Sequence, residues 1–253
     1  LNPYEIWLFT VIVAAISLAG NIAARMAGAA RGLLVSGLAG ALVSSTAVTV
    51  AFAHIARNHV HDPDHRHMTA LSGGACCAAA VSVARVMVIV LLVQPAVFPV
   101  MGFAALTAAA VFAACGVFLL SRGAARDEAS FVAPPVFRVL HLLVFAMAFA
   151  VMSMAGAALV AAFGDAGVLA VSGLSGVFDV DVAVFGALRL VEQSVTADVA
   201  GYGVLAALAA NALGRLSLAV AVGPRAYFLP LALATALAAL AATAVFTAGW
   251  FLF

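Results

Sequence analysis

The sequence predicts an all-α polytopic membrane protein, a bundle of about eight transmembrane helices. Hydrophobic residues make up 67% of the 253 positions and charged residues only 8%, and the mean hydropathy is +1.24. Apolar runs of about twenty residues follow one another almost without interruption, each long enough to cross a bilayer. Backbone groups in lipid must be satisfied internally, and runs of this length without polar alternation favour helices over barrel strands.

The expected spans are 7–26, 32–56, 71–93, 100–120, 139–163, 167–190, 204–222 and 227–251. Trp7 opens the first and Trp250 closes the last, where an amphipathic ring suits the headgroup region. The second begins with "SGLAG" at Ser36–Gly40 and turns polar at its centre in "SSTAVT". The third ends at Pro95, which cannot continue a helix, and the fourth runs to the polar stretch "SRGAARDEASFVAPP". That stretch, with its charges and paired prolines, reads as a linker. The fifth span holds a soft group of methionines, Met147, Met152 and Met154, read as adaptable packing. The sixth opens with "SGLSG" at Ser172–Gly176 and carries Asp179 and Asp181 at its centre, the seventh ends at Pro224, and the eighth is rich in alanine.

The two halves resemble each other. "SGLAG" matches "SGLSG", and "AVSVARVMVIVLLVQP" can be laid on "AANALGRLSLAVAVGP", which sets Ser82 opposite Asn211 and Arg85 within one residue of Arg215. A four-plus-four internal duplication is therefore expected: a first repeat over 1–120, a linker over 121–138 and a second repeat over 139–253. Four crossings per repeat imply parallel halves, whereas one re-entrant segment in each would make them inverted. With both termini in the cytoplasm, Arg57, Arg66, Arg122, Arg126, Arg138 and Arg189 fall inside, and Arg25, Arg31 and Arg225 outside, in keeping with the positive-inside rule.

An ionised Asp at a helix centre costs about 2.5 to 3.5 kcal/mol on the insertion scale, so Asp179 and Asp181 need partners or a use. In a regular helix, residues two apart point in nearly opposite directions. A break, favoured by Gly173 and Gly176, would let both carboxylates and freed carbonyls converge, with Ser44, Ser45, Thr46 and Thr49 as neutral oxygens from the other half and Asn211 as a further amide. Either geometry, regular or broken, is open for the second and sixth helices. Oxygen-only ligands suit hard cations or protons. Arg85 and Arg215 fall inside their spans and are candidate charge partners of the acids, which would turn the cluster into an ion-pair network; long arginines can also snorkel to the interface. Single Ser and Thr residues in membrane helices more often serve packing, and the paired small residues Gly37, Gly40, Gly173 and Gly176 allow close helix contact.

The loop "HVHDPDHRH" offers His59, His61, Asp62, Asp64, His65 and His67 to a transition metal, with Pro63 able to turn the chain so that its arms face each other. The competing reading is a solvated connection. Eleven basic residues, all arginine, balance ten acids, which suggests neither a nucleic-acid partner nor a polybasic lipid-binding patch. Cys76, Cys77 and Cys115 lie in apolar segments and imply no disulfide framework. No metalloprotease helix motif or serine-nucleophile motif is present, so an enzyme is not expected. His141 reads as an interfacial hydrogen-bonding residue.

"LNPYEIW", "RGLLVSGLAGALVSSTAVTVAFA", "DVDVAV" and "LAALAANALGR" together resemble the C-terminal membrane domain of MgtC/SapB-related bacterial proteins, known as domain of unknown function 4010. The resemblance covers essentially the whole chain. It implies a multi-pass protein of the bacterial inner membrane and an MgtC-like domain ahead of this one, in line with a chain that begins at Leu1. It places the family's polar signatures on Ser44, Ser45, Thr46, Asp179 and Asp181, and a basic residue where Arg215 stands. The histidine-rich connection departs from the family's pattern. No activity comes with the resemblance.

The leading functional expectation is a transporter or ion-conducting protein for a small cation, a divalent metal or a proton, with its site at the interface of the two repeats. A bound divalent metal ion is the only cofactor-like ligand implied. The alternative is a regulatory or assembly module that binds another membrane protein, its own N-terminal domain or a second copy, without transport.

Overall fold

The computed structural model describes residues 32–58, 66–123, 158–191 and 195–252, with isolated positions at 11, 15, 147, 151 and 154. Every regular element among the described residues is helical: α1 (Gly32–Asn58), α2 (Arg66–Val93), a 3-10 turn at Pro95–Val97, α3 (Phe98–Arg122), α4 (Asp165–Phe178), α5 (Val180–Leu190), α6 (Ala197–Val222) and α7 (Arg225–Leu252). The expected first span, most of the fifth, the linker beyond residue 123, Met152 and the loop residues His59, His61, Asp62, Asp64 and His65 lie outside the described residues. Four segments are long and apolar enough to cross a membrane: Arg66–Val93, Pro95–Arg122, Ala197–Val222 and Arg225–Gly249. Large apolar side chains such as Leu92, Phe103 and Leu240 stand exposed on them, where lipid would cover them. The chain is a membrane protein.

Two helices begin a turn or more earlier than hydropathy predicts. α2 starts at the exposed Arg66, and His67 and Met68 in its first turn are buried, so part of this polar turn belongs to the packed interior. His67 therefore sits in a helix, buried, rather than in a solvated loop. α6 starts at Ala197, where Thr196 Oγ1 accepts the backbone N–H of Val199 at 3.4 Å and Asp198 suits the positive end of the helix. Asp198, Gly201 and Gly203 lower the local hydropathy there, yet Gly201 and Gly203 serve packing: an added Cβ at Gly203 would lie 3.0 Å from Ser172 Oγ. Between α2 and α3, Gln94 is extended (φ −147°, ψ 77°), as a residue before proline prefers, and Pro95 opens the 3-10 turn.

The described residues group into two compact units, each drawing on both halves of the sequence. One holds 86–105, 158–191 and 195–214; the other holds 32–58, 66–85, 106–123 and 215–252. In the first, α4 and α6 touch along small residues. A Cβ at Gly176 would lie 2.5 Å from the Ala207 carbonyl oxygen, and one at Gly214 would lie 2.9 Å from that of Val177. Helices in lipid gain most of their attraction from such close approach.

The second unit is built around Tyr227, whose side chain is fully buried with Phe52, Met68, Leu71 and Phe112 in one apolar cluster. Its hydroxyl donates to the Thr49 carbonyl on α1 at 2.8 Å, and its own carbonyl accepts from Ser72 Oγ on α2 at 2.7 Å. One aromatic residue thus ties α7 to two other helices. α2 and α3 meet backbone to backbone, since a Cβ on Gly73 would lie 2.9 Å from Gly116 O.

Candidate functional site: two interrupted helices

The polar centres of the second and sixth expected spans are where helical geometry fails. α1 is interrupted at Ser44 (φ −161°, ψ 107°), and the sixth span divides into α4 and α5 at Asp179 (φ −151°, ψ 114°). Both residues are extended, and both cap the helix that follows. Ser44 Oγ accepts the N–H of Ala47 at 3.2 Å. Asp179 Oδ1 accepts the N–H of Asp181 at 2.9 Å and of Val182 at 3.2 Å. Short polar side chains compete with carbonyls for backbone donors, which is why they break helices and start new ones.

The Asp179 interruption changes the local electrostatics. In a continuous helix the N–H groups of residues 180, 181 and 182 would meet the carbonyls of 176, 177 and 178. Two of those donors now go to the Asp179 carboxylate, so the last turn of α4 presents carbonyl oxygens that a regular helix would occupy. The positive end of α5 faces Asp179, an arrangement worth about 0.3 to 1 kcal/mol when exposed and up to about 2 when partly buried. With a cap worth about 1 kcal/mol, this offsets much of the 2.5 to 3.5 kcal/mol roughly assigned to a carboxylate at membrane depth.

Asp181, one residue into α5, is buried at 3% exposure, and nearly every residue of that helix is buried with it. Neither helix is a full crossing: 14 residues in α4 and 11 in α5 correspond to roughly 21 and 17 Å, against about 30 Å of hydrocarbon. Asn211 is also buried, on α6. It lies four residues after Ala207 and three before Gly214, the two residues that touch the last turn of α4. Helical spacing therefore puts its amide on the face of α6 turned toward the interruption. Asp179 and Asp181 thus stand at the interruption, and Asn211 lies on the α6 face packed against the end of α4, all inside one compact unit.

Residues 11–223 match the family model described as Domain of unknown function (DUF4010). The chain belongs to this family. No curated protein and no solved structure matches it.

In this DUF4010 chain the other predicted oxygens gather in the second unit. Ser45 and Thr49 are buried on α1 beyond the Ser44 interruption, Thr49 Oγ1 donating back to the Ser45 carbonyl at 2.9 Å, while Ser44 and Thr46 are partly buried. Arg85 reaches across from α2, and its Nη1 donates to the Leu42 carbonyl at 2.9 Å. That carbonyl would accept from Thr46 in an unbroken helix, so the guanidinium caps the end of the first half of α1, where a cation also suits the negative end of the dipole. Sequence reasoning marked Arg85 as a partner for carboxylates and missed this backbone role; the available signal was an arginine one helix beyond a serine-rich centre. Arg215 is buried on α6 with its guanidinium carbon 5.9 Å from the centre of the Phe112 ring. Among the described residues no three His, Cys, Asp or Glu side chains converge in a way that would hold a metal ion. An ion at the Asp179 interruption would lean on carbonyl and amide oxygens as well as carboxylate.

Proposed function

We propose that this DUF4010 protein moves a small hard cation, a divalent metal or a proton, through the membrane, with the ion handled at the α4–α5 interruption. The observation that carries this reading is the capped break at Asp179, which puts two acids and helix-end carbonyls on one short stretch of chain, with the buried Asn211 on the α6 face that packs against the end of α4. Discontinuous helices supply ion sites in transporters because their ends offer oriented dipoles and free oxygens without requiring irregular backbone to face lipid. Oxygen donors of mixed charge favour magnesium-like or calcium-like ions, or protons, over copper. On this reading the protein is not an enzyme. Its kinship with MgtC/SapB-related proteins and its place in a bacterial inner membrane belong to the same proposal.

Flux of magnesium, manganese and protons is measured in proteoliposomes holding the parent protein or the Asp179→Ala, Asp181→Ala double variant. Flux that depends on the acids supports transport, and equal flux in the two preparations sinks it. A stoichiometric membrane-protein partner combined with no ion-dependent thermal shift would instead favour a regulatory or assembly module.

A further inference from the structure

Arg215 raises a separate question of charge. Its side chain is 5% exposed, and among the described residues its Nε and Nη1 meet no hydrogen-bond acceptor. A guanidinium stays protonated under any physiological condition, so this is a fixed positive charge. The compact unit around it contains no described Asp or Glu. Phe112 presents its ring at 5.9 Å, a contact worth about 0.5 to 2 kcal/mol. A buried ion left with that contact alone loses several kcal/mol in desolvation, by order of magnitude.

The surroundings restrict what can answer the charge. Cys76 and Tyr227 lie within electrostatic range of Arg215. The Tyr227 hydroxyl is committed to the Thr49 carbonyl, and Ser72 to the carbonyls of Tyr227 and Met68. Of the groups shown beside Arg215, those left to donate are its own guanidinium N–H groups and the Cys76 thiol, a weak donor. A multiply charged oxyanion would keep most of its oxygens unsatisfied there. A small, weakly hydrated monovalent anion would not.

We infer that Arg215 binds a small inorganic anion of the halide class within the unit formed by α1, α7 and the adjoining parts of α2, α3 and α6. The site is independent of the acids at the α4–α5 interruption, and a failure of cation transport leaves it standing. A bound anion stabilises the folded protein in proportion to its occupancy.

Purified full-length chain in detergent is titrated with sodium bromide against sodium gluconate at constant ionic strength, and thermal unfolding is followed for the parent, Arg215→Gln and Arg225→Gln. Arg225 is exposed at the start of α7 and serves as the control. The expected result is a saturable rise in melting temperature with bromide in the parent and in Arg225→Gln, and none in Arg215→Gln. A parent that ignores bromide, or an Arg215→Gln protein that responds as the parent does, overturns the inference. Should Arg215→Gln fail to fold, chloride NMR line broadening on the parent decides: broadening that bromide competes away supports the site, and its absence refutes it.

Discussion

Gly176→Ala is expected to destabilise the protein, while Gly173→Ala, three residues earlier in the same "SGLSG" motif, is expected to leave it unharmed. A Cβ at position 176 would lie 2.5 Å from the Ala207 carbonyl oxygen, 2.7 Å from its Cα and 3.0 Å from its carbonyl carbon. All three are backbone atoms, so no side-chain rotation relieves the overlap. Ordinary contacts sit near 3.5 Å, and α4 and α6 would have to separate by roughly 1 Å. Overpacking of this kind costs about 1 to 3 kcal/mol, which for a chain of this size lowers the melting temperature by roughly 2 to 12 °C. At Gly173 nothing lies within 4 Å of the added methyl, and replacing a mid-helix glycine gains at most about 1 kcal/mol. A thiol-reactive fluorophore reads the transition directly, since Cys76 and Cys77 are buried in the fold and become reactive on unfolding. Equal melting of the parent and Gly176→Ala, or an equal drop in both variants, would refute the close approach of α4 and α6 at this point.

Asp179→Asn keeps a cap of equal quality but removes the charge, so stability in the same melting assay should stay within about 0.5 kcal/mol while cation flux falls; unchanged flux would show that the carboxylate is only a cap. Tyr227→Phe removes the second hydrogen bond to the buried Thr49 carbonyl, which keeps its helical partner, and should cost about 0.5 to 1.5 kcal/mol in a denaturant or thermal unfolding series. Arg85→Met removes the donor to the Leu42 carbonyl and should destabilise by a similar amount, about 1 to 3 kcal/mol, with hydrogen exchange rising first around residues 42–47.

Much of the fold was legible because hydropathy and proline alone bound a membrane helix. The expected fourth span at 100–120 lies within α3, and the last span coincides with α7 to within two residues at either end. The sequence also pointed to the two polar centres, but it laid the interruption at Asp179 to the glycines. Gly176 instead admits the backbone of α6, and the residue that departs from helical geometry is the aspartate, whose side chain takes the N–H groups a continuing helix would need. The starts of α2 and α6 were hidden because apolarity marks where lipid or core begins, whereas His67 and Thr196 act through burial and capping. The link from Arg85 to Leu42 joins positions 43 residues apart, and nothing in local pattern encodes such a contact. Asn211 was singled out as an amide within a span; its relation to the interruption required knowing that α6 lies against α4.

The division of residues 165–190 into two short helices also bears on how this stretch enters the bilayer. Neither piece is long enough to cross alone, so on the eight-span reading the insertion machinery would meet the whole stretch as one candidate. Its two central aspartates cost roughly 5 to 7 kcal/mol before any cap exists, while its twelve Leu, Val and Phe residues return roughly 4 to 7 kcal/mol. The stretch therefore stands near the threshold for insertion, and the glycine-lined fit with α6 comes only after both are in the membrane. The close fit of Gly176 against Ala207 thus couples this segment to its downstream neighbour, while the cap at Asp179 is made within the stretch itself.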